Sequence, residues 1–313
     1  MNKREKLLNW LNGSQTLDYI PAAFFIHFPQ EYRRGQAAID KHLAYFHYTG
    51  MDFVKIQYEF AFPHRPEIQT PADWAKMPFY GREFFQDQLD IVAGLVEAAH
   101  GEALILQTLY SPFMSAGHTT SDALITEHLK TAPEKVKPGL EIITENTLWF
   151  VRECIKLGVD GFYASTQGGE SQRFADPSLF AQYVKPYDLV VMEEINQTCP
   201  FNILHICDYC GGYSDLTPFL DYPGDIVNCA LNLGTRTLTP RDVAQMFAHP
   251  YMGGIDRHGA IATTNPDEVK TIVRAILKDA PERFILGADC TLPGDIDWDN
   301  IKTAIATAHE YPK

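Results

Sequence analysis

The sequence predicts an α/β chain closed into a TIM-type (β/α)8 barrel with a short N-terminal helix. Three observations carry this. Eight short segments rich in β-branched and aromatic residues recur near 20–27, 53–59, 103–110, 161–165, 201–206, 226–230, 251–254 and 284–288. A helical pattern lies between each pair and after the last, the alternation that builds a parallel sheet. No Gly/Ser-rich linker or shift of composition divides the 313 residues, so residues 1–313 are expected to form one domain. A doubly wound open sheet is the main alternative, and it rarely needs this many units.

The elements follow in order. The opening MNKREKLLNWLNG is charged and then amphipathic, which reads as the short first helix. Phe85, Leu89, Val92, Val96 and Ala99 form an i, i+4, i+7 stripe that Gly101 ends. Asp176-Pro177 and Thr239-Pro240 each read as a cap followed by a first-turn proline, and Pro186 should kink or split the helix that begins near Pro177. Asn265-Pro266-Asp267-Glu268 reads as an N-cap, a first-turn proline and a capping-box glutamate. Val269, Ile272, Val273 and Ile276 then give one apolar face. Ile301, Ala304, Ile305 and Ala308 form the last helix. Residues 61–82, rich in proline and aromatics, should pass over the barrel mouth.

Composition narrows the function classes. Lys+Arg is 26 and Asp+Glu 40, a formal net charge of −14, which repels phosphate backbones and anionic lipid heads. Nucleic acid and membrane are therefore not expected as partners. At 45% apolar and 12% aromatic the chain is not disordered. No apolar run approaches the ~20 residues of a membrane span, and the N-terminus lacks the features of a secretory signal. A cytoplasmic location is expected. The six cysteines are too few for a disulfide scaffold, so they are expected as buried thiols, metal ligands or catalytic groups.

In such barrels the chemistry sits at the carboxyl ends of the strands. His205-Ile206-Cys207 closes the fifth predicted strand, and residues i and i+2 share a face. Cys290 follows the eighth, and all strand ends converge on one mouth. Imidazole plus two thiolates suits zinc, and three protein ligands leave the open position of a catalytic site. The plainer alternative is a set of core cysteines and a histidine bonded to a backbone carbonyl. Cys207-Asp208-Tyr209-Cys210 is also a C-x-x-C, open to a redox reading or to Cys210 as an alternative ligand. Cys154, Cys199 and Cys229 read as core thiols. Glu59 ends the second predicted strand, Tyr110 and His118 fall at or after the end of the third, Gln167 and Glu170 follow the fourth and Asp256 the seventh, and together they describe a polar pocket. No P-loop, G-x-G-x-x-G or G-x-S-x-G is present, which weakens nucleotide cofactors and serine-hydrolase chemistry.

The chain resembles the superfamily of uroporphyrinogen decarboxylase and the corrinoid-dependent methyltransferases nearly end to end. REKLLNWLNG is similar to the family's opening helix, Ser111-Pro112-Phe113 to its G/A-P-F/W segment, and Leu157-Gly158-Val159-Asp160-Gly161-Phe162 to the approach to its fourth strand. Tyr251-Met252-Gly253-Gly254-Ile255-Asp256 resembles its glycine-rich turn, and Phe284-Ile285-Leu286-Gly287 its last strand. His205, Cys207 and Cys290-Thr291-Leu292-Pro293 are similar to the motifs of the zinc-dependent methyltransferase branch.

That resemblance implies Zn2+ on His205, Cys207 and Cys290, and methyl transfer from a methyl-corrinoid (methylcobalamin) to a zinc-activated thiol. Catalytic roles shaping the pocket fall to Glu59, Tyr110, Glu170 and Asp256, and cofactor contacts to His118 and Gln167. Asp208 and Asp289 adjoin ligands and are candidates to support them. The expected partners are a small-molecule thiol and a corrinoid carrier protein, which residues such as His64, Arg65 and Trp74 could dock. A homodimer is the default expectation for a cytosolic enzyme. The alternatives are a tetrapyrrole decarboxylase and a non-catalytic corrinoid- or metal-binding barrel. Against the decarboxylase, Arg33 and Arg34 sit outside its paired-arginine pattern, Glu59 replaces its aspartate, and its last-strand histidine has no counterpart in Gly287-Ala288-Asp289-Cys290.

Overall fold

The computed structural model describes residues 1–58, 61–234 and 236–312. The elements in chain order are α1 (Lys3–Leu11), α2 (Gly35–Thr49), β1 (Phe53–Ile56), α3 (Gly81–Ala99), β2 (Leu104–Tyr110), α4 (Pro112–Thr119), α5 (Asp122–Thr131), α6 (Pro133–Leu157), β3 (Gly161–Thr166), α7 (Ser178–Tyr183), α8 (Lys185–Thr198), β4 (Ile203–Ile206) and β5 (Ile226–Cys229). They continue with β6 (Asn232–Leu233), β7 (Arg236–Thr237), α9 (Pro240–Phe247), β8 (Tyr251–Ile255), α10 (Ala260–Thr263), α11 (Pro266–Lys278), β9 (Phe284–Ala288) and α12 (Trp298–His309). Seven strands form one parallel sheet in the order β1-β2-β3-β4-β5-β8-β9.

The eighth stave, expected at 20–27, is present without a continuous ladder. It closes the barrel through parallel bridges Ala22↔Leu286 and Ile26↔Leu292. Pro21 has no N–H to give, and the Ala22 N–H goes to the Asp52 carboxylate at 2.7 Å. Toward β1 the closure is made partly by side chains: Gln57 Nε2 donates to the Ile26 carbonyl at 2.6 Å and the Tyr45 hydroxyl to that of Phe24 at 3.1 Å. The curled sheet is thus a barrel with a stitched seam.

Caps expected from the sequence are in place, with two differences. Thr239 and Asp242 form a reciprocal capping box on α9. Asn265 accepts from the backbone of Asp267 and Glu268, but the Glu268 carboxylate accepts from the Asn265 side chain rather than its backbone. Asp176 accepts from Ser178 N, so α7 starts one residue past the expected proline. Pro186 separates α8 from α7, because a proline in the first turn gives up no helical bond. A helix was also expected between β4 and β5. Among the described residues that link holds only a 3-10 turn at Thr217–Phe219, in a stretch broken by Gly211, Gly212, Pro218, Pro223 and Gly224. The β6–β7 hairpin is a further element the strand–helix alternation did not announce.

The segment 61–82 was expected over the mouth, but none of its residues lines the mouth cavity. Its 3-10 turn, Pro71–Lys76, buries Trp74 completely, with the indole N–H on His128 Nδ1 at 3.0 Å and the ring against Gly139 of α6. Trp74 therefore presents no surface to a carrier protein. At the opposite end, α1 buries Leu7 and Trp10 and binds Asp160 through Arg4 at 2.7 Å, at the amino ends of β2 and β3. No helix of the described residues is long and apolar enough to cross a membrane.

Behind β3, Asp188 of α8 is fully buried and accepts from Thr166 Oγ1 at 2.6 Å and the Tyr222 hydroxyl at 3.2 Å. Burial pushes its carboxyl from 3.8 up to about 7, against those hydrogen bonds. Between these values the folded chain keeps a proton that the unfolded chain has released. The stability from this group is full below about pH 4 and is lost as pH rises through 7, amounting to about 4 kcal/mol. Asp188→Asn should remove that decline. Urea unfolding at pH 5 and pH 8 should show the variant gaining on the wild type at the higher pH.

Candidate metal centre

β4 ends in His205-Ile206, and the Cys207 N–H continues its ladder onto the Thr166 carbonyl at 3.0 Å. The extended geometry therefore holds through Cys207, and His205 and Cys207 share the inner face. Cys290 arrives from the end of β9. One donor atom from each of His205, Cys207 and Cys290 lies within 4.8 Å of the others, and His205 Nε2 is 3.4 Å from Cys290 Sγ. His205 and Cys207 are buried and Cys290 half-buried.

The arrangement fits zinc. With Zn–N near 2.1 Å and Zn–S near 2.3 Å, a tetrahedron has N···S edges of about 3.6 Å and S···S edges of about 3.8 Å. The triad needs only small shifts to reach these. Pairing with Cys207, then the charges of His205 and Arg257, holds the Cys290 thiol well below the usual thiol range, while the same pairing and burial raise Cys207.

The triad is held from behind by groups the sequence reading missed. Tyr163 stacks on the His205 ring at 4.8 Å, and its hydroxyl donates to Asn228 Oδ1 at 2.6 Å. Asn228 Nδ2 in turn donates to the carbonyls of Met252 and Ala288 at 2.8 and 2.9 Å. These bonds run from β3 through β5 to β8 and β9. His205 Nδ1 has no hydrogen-bond partner among the described residues, so stacking on Tyr163, rather than a carboxylate, orients the ring. Gln167, which the sequence did place at the mouth, donates through Nε2 to Cys207 Sγ at 3.4 Å.

The triad lines a cavity of about 590 Å³ at the barrel mouth. Of the residues expected there, Tyr110, His118 and Gln167 line it. Tyr110 and His118 meet edge to face at 4.9 Å, and burial holds the His118 imidazole below its ordinary 6.5. Glu170 does not line it. Its carboxylate is taken by Arg173 and the Gly168 N–H, so it braces its own loop. Asp256 is exposed and caps a turn by accepting from His258 N at 2.8 Å. Glu59 lies outside the described residues. Cys210 lines the cavity but is not one of the clustered donors, and the thiol paired with Cys207 is Cys290. Cys154, Cys199 and Cys229 are buried in the core.

The cavity has further polar groups. Lys55 Nζ sits 4.8 Å from the Phe25 and Tyr163 ring centres and donates to Gln57 Oε1 at 3.1 Å and Thr291 Oγ1 at 3.5 Å. Thr108 lines the cavity, and its buried hydroxyl has no partner among the described residues. A lone polar residue inside an apolar strand run, as in Phe53-Val54-Lys55-Ile56 and Ile226-Val227-Asn228-Cys229, was the available signal for this shell.

A closed parallel barrel with a His-Cys-Cys cluster at its carboxyl-terminal mouth defines a class of enzyme-like scaffold. The chain belongs to the uroporphyrinogen decarboxylase (URO-D) family, whose profile matches residues 43–311. No curated protein matches the sequence. Among solved structures it is similar to a methyltransferase from Methanosarcina mazei, with TM-score 0.79, 14% identity and 99% of each chain covered. It is also similar to a B12-independent methionine synthase from Shewanella sp. W3-18-1, with TM-score 0.55, 14% identity, and 94% of this chain and 96% of that one covered. At these identities the likeness is one of fold.

Proposed function

We propose that this barrel transfers a methyl group from a methyl-corrinoid to a thiol activated at zinc. The observation that carries the reading is the gathering of one imidazole and two sulfurs, from β4 and the end of β9, within 4.8 Å of one another beside an open cavity. That one structural neighbour is a methyltransferase and the other a methionine synthase supports methyl transfer. Bound zinc would lower the pKa of a coordinated substrate thiol and present it as a thiolate at neutral pH.

The chain's own groups then have definite tasks. Tyr163 and Gln167 hold the His205 ring and the Cys207 sulfur in place. His118, kept neutral by burial, offers a ring nitrogen for the proton that the thiol releases. Lys55, Thr108 and Ser165, which line the same cavity, give the thiol's tail hydrogen-bond donors. The walls fix the thiol against the incoming methyl carbon, which removes much of the translational cost of meeting it. A small-molecule thiol and a corrinoid carrier are the partners of this reading, with cytoplasm as its compartment and a homodimer as the expected assembly.

A tetrapyrrole decarboxylase would need several cations for its substrate's carboxylates. Neither Arg33 nor Arg34 lines the cavity: Arg33 donates to the Phe28 carbonyl and Arg34 pairs with Asp87 at the surface. The test is to mix zinc-loaded protein with methylcobalamin and a panel of small thiols and follow the methylcobalamin absorbance. Thiol-dependent loss that chelation abolishes is expected. Turnover of a porphyrinogen to its decarboxylated product by metal-free protein would contradict the proposal.

A further inference from the structure

Cys207 and Cys290 stand at the ends of strands that are not neighbours. In sheet order β5 and β8 lie between β4 and β9. The ladder therefore fixes one sulfur relative to the other only through two intervening strands. A shorter link exists at the rim. Asp208 follows Cys207, and Asp289 precedes Cys290. Arg257, two residues past β8, donates through Nη1 to Asp208 Oδ1 at 2.7 Å and to Asp289 Oδ2 at 3.1 Å. Its backbone N–H donates to Asp289 Oδ1 at 2.9 Å. The three side chains are 12%, 18% and 16% exposed, so solvent screens these charges far less than at an open surface.

We infer that Arg257 is a positioning residue for the metal centre: it clasps the two aspartates that adjoin the cysteines and holds both sulfurs at ligand spacing before a metal arrives. The inference rests on the zinc reading given above. Substrate binding is the competing role for an arginine at a cavity wall. The charge count disfavours it, because one guanidinium already faces two carboxylates and the cluster carries a net negative charge. A clasp suits this balance. It ties three loops, after β4, β8 and β9, through one nitrogen, and preorganisation of this kind is what raises affinity without adding a ligand. Groups one step removed from metal ligands typically change metal affinity by about 10–100-fold when removed.

The test uses the full chain in metal-free form. Co2+ and Zn2+ dissociation constants are measured by chelator competition for wild type, Arg257→Met and Arg257→Lys, with the Co2+ thiolate charge-transfer spectrum and the metal-free melting temperature. Wild type should take up one metal per chain. Arg257→Met should bind about 10–100-fold more weakly, with an altered Co2+ spectrum and a metal-free melting temperature near that of wild type. Arg257→Lys, which keeps the charge but loses the planar fork, should recover part of the affinity. If Arg257→Met binds metal as tightly as wild type with the same spectrum, the clasp is wrong and the zinc reading stands. If wild type itself binds no metal, both are wrong. Should Arg257→Met fail to fold, Asp208→Asn, which leaves the Arg257–Asp289 pair intact, must weaken binding in the same direction. Unchanged affinity in that variant overturns the inference.

Discussion

Cys290→Ser should bind zinc about 10²–10³-fold more weakly than wild type and lose thiol-dependent methyl transfer to at least the same degree. A structural zinc site is worth about 10–16 kcal/mol over its four protein ligands, so one thiolate accounts for about 3–4 kcal/mol. A serine hydroxyl does not ionise near neutral pH, and it sits closer to its own backbone than a sulfur does. Cys290 is half-buried at the end of β9 and is not part of the apolar core. The fold should therefore survive, with an unchanged circular dichroism spectrum. Metal analysis after gel filtration and the methylcobalamin assay read the two effects together. A variant that keeps stoichiometric zinc and full turnover would remove Cys290 from the site.

Gly161→Ala should be the most damaging small change to the scaffold. Gly161 opens β3, and a methyl added there would lie 1.7 Å from the Phe201 carbonyl oxygen and 2.6 Å from its carbon. Both are backbone atoms, so no rotamer change relieves the overlap, and β3 and the approach to β4 must separate. Overpacking costs about 1–3 kcal/mol and occasionally more; a clash with rigid backbone belongs at the upper end, a fall of roughly 5 °C in melting temperature for a chain of this size. The same displacement would disturb the Asn202 Oδ1 bond to Phe162 N and, further along the strands, the stacking of Tyr163 on His205. Metal affinity should fall together with stability. A melting temperature within a degree of wild type would contradict this, showing that β3 and the approach to β4 separate without cost.

Which parts of this molecule were readable from sequence follows from the range of the forces involved. Helix stripes and caps are local, so Phe85, Leu89 and Val92 on α3 and Thr239 on α9 announced themselves. The gathering of His205, Cys207 and Cys290 was legible because strand alternation fixes His205 against Cys207, and barrel topology brings the end of β9 back to β4. Position at a strand end was a weaker guide for carboxylates. Glu170 satisfies its charge on Arg173 and Asp256 on a turn, and neither choice is encoded by distance from a strand. Trp74 was misplaced because a Pro- and aromatic-rich segment reads alike whether it crosses a barrel mouth or packs beside a helix; Gly139 on α6 provides the space that decides it. The seam at 20–27 looked like an ordinary strand, since nothing in its pattern shows that Asp52 takes the Ala22 N–H. The Arg257 clasp and the Tyr163–Asn228 relay depend on residues far apart in sequence meeting at one end of the sheet, which no local pattern records.

The central claim is that three side chains form one zinc site with a position left open for substrate. X-ray absorption at the zinc edge, on untagged protein with metal content measured on the same sample, addresses it most directly. The account predicts about one zinc per chain, with two sulfurs near 2.3 Å and nitrogen or oxygen neighbours near 2.0–2.1 Å, and an added third sulfur when a small thiol is present. Well-folded protein that takes up no zinc, or zinc surrounded by nitrogen and oxygen alone, would contradict it.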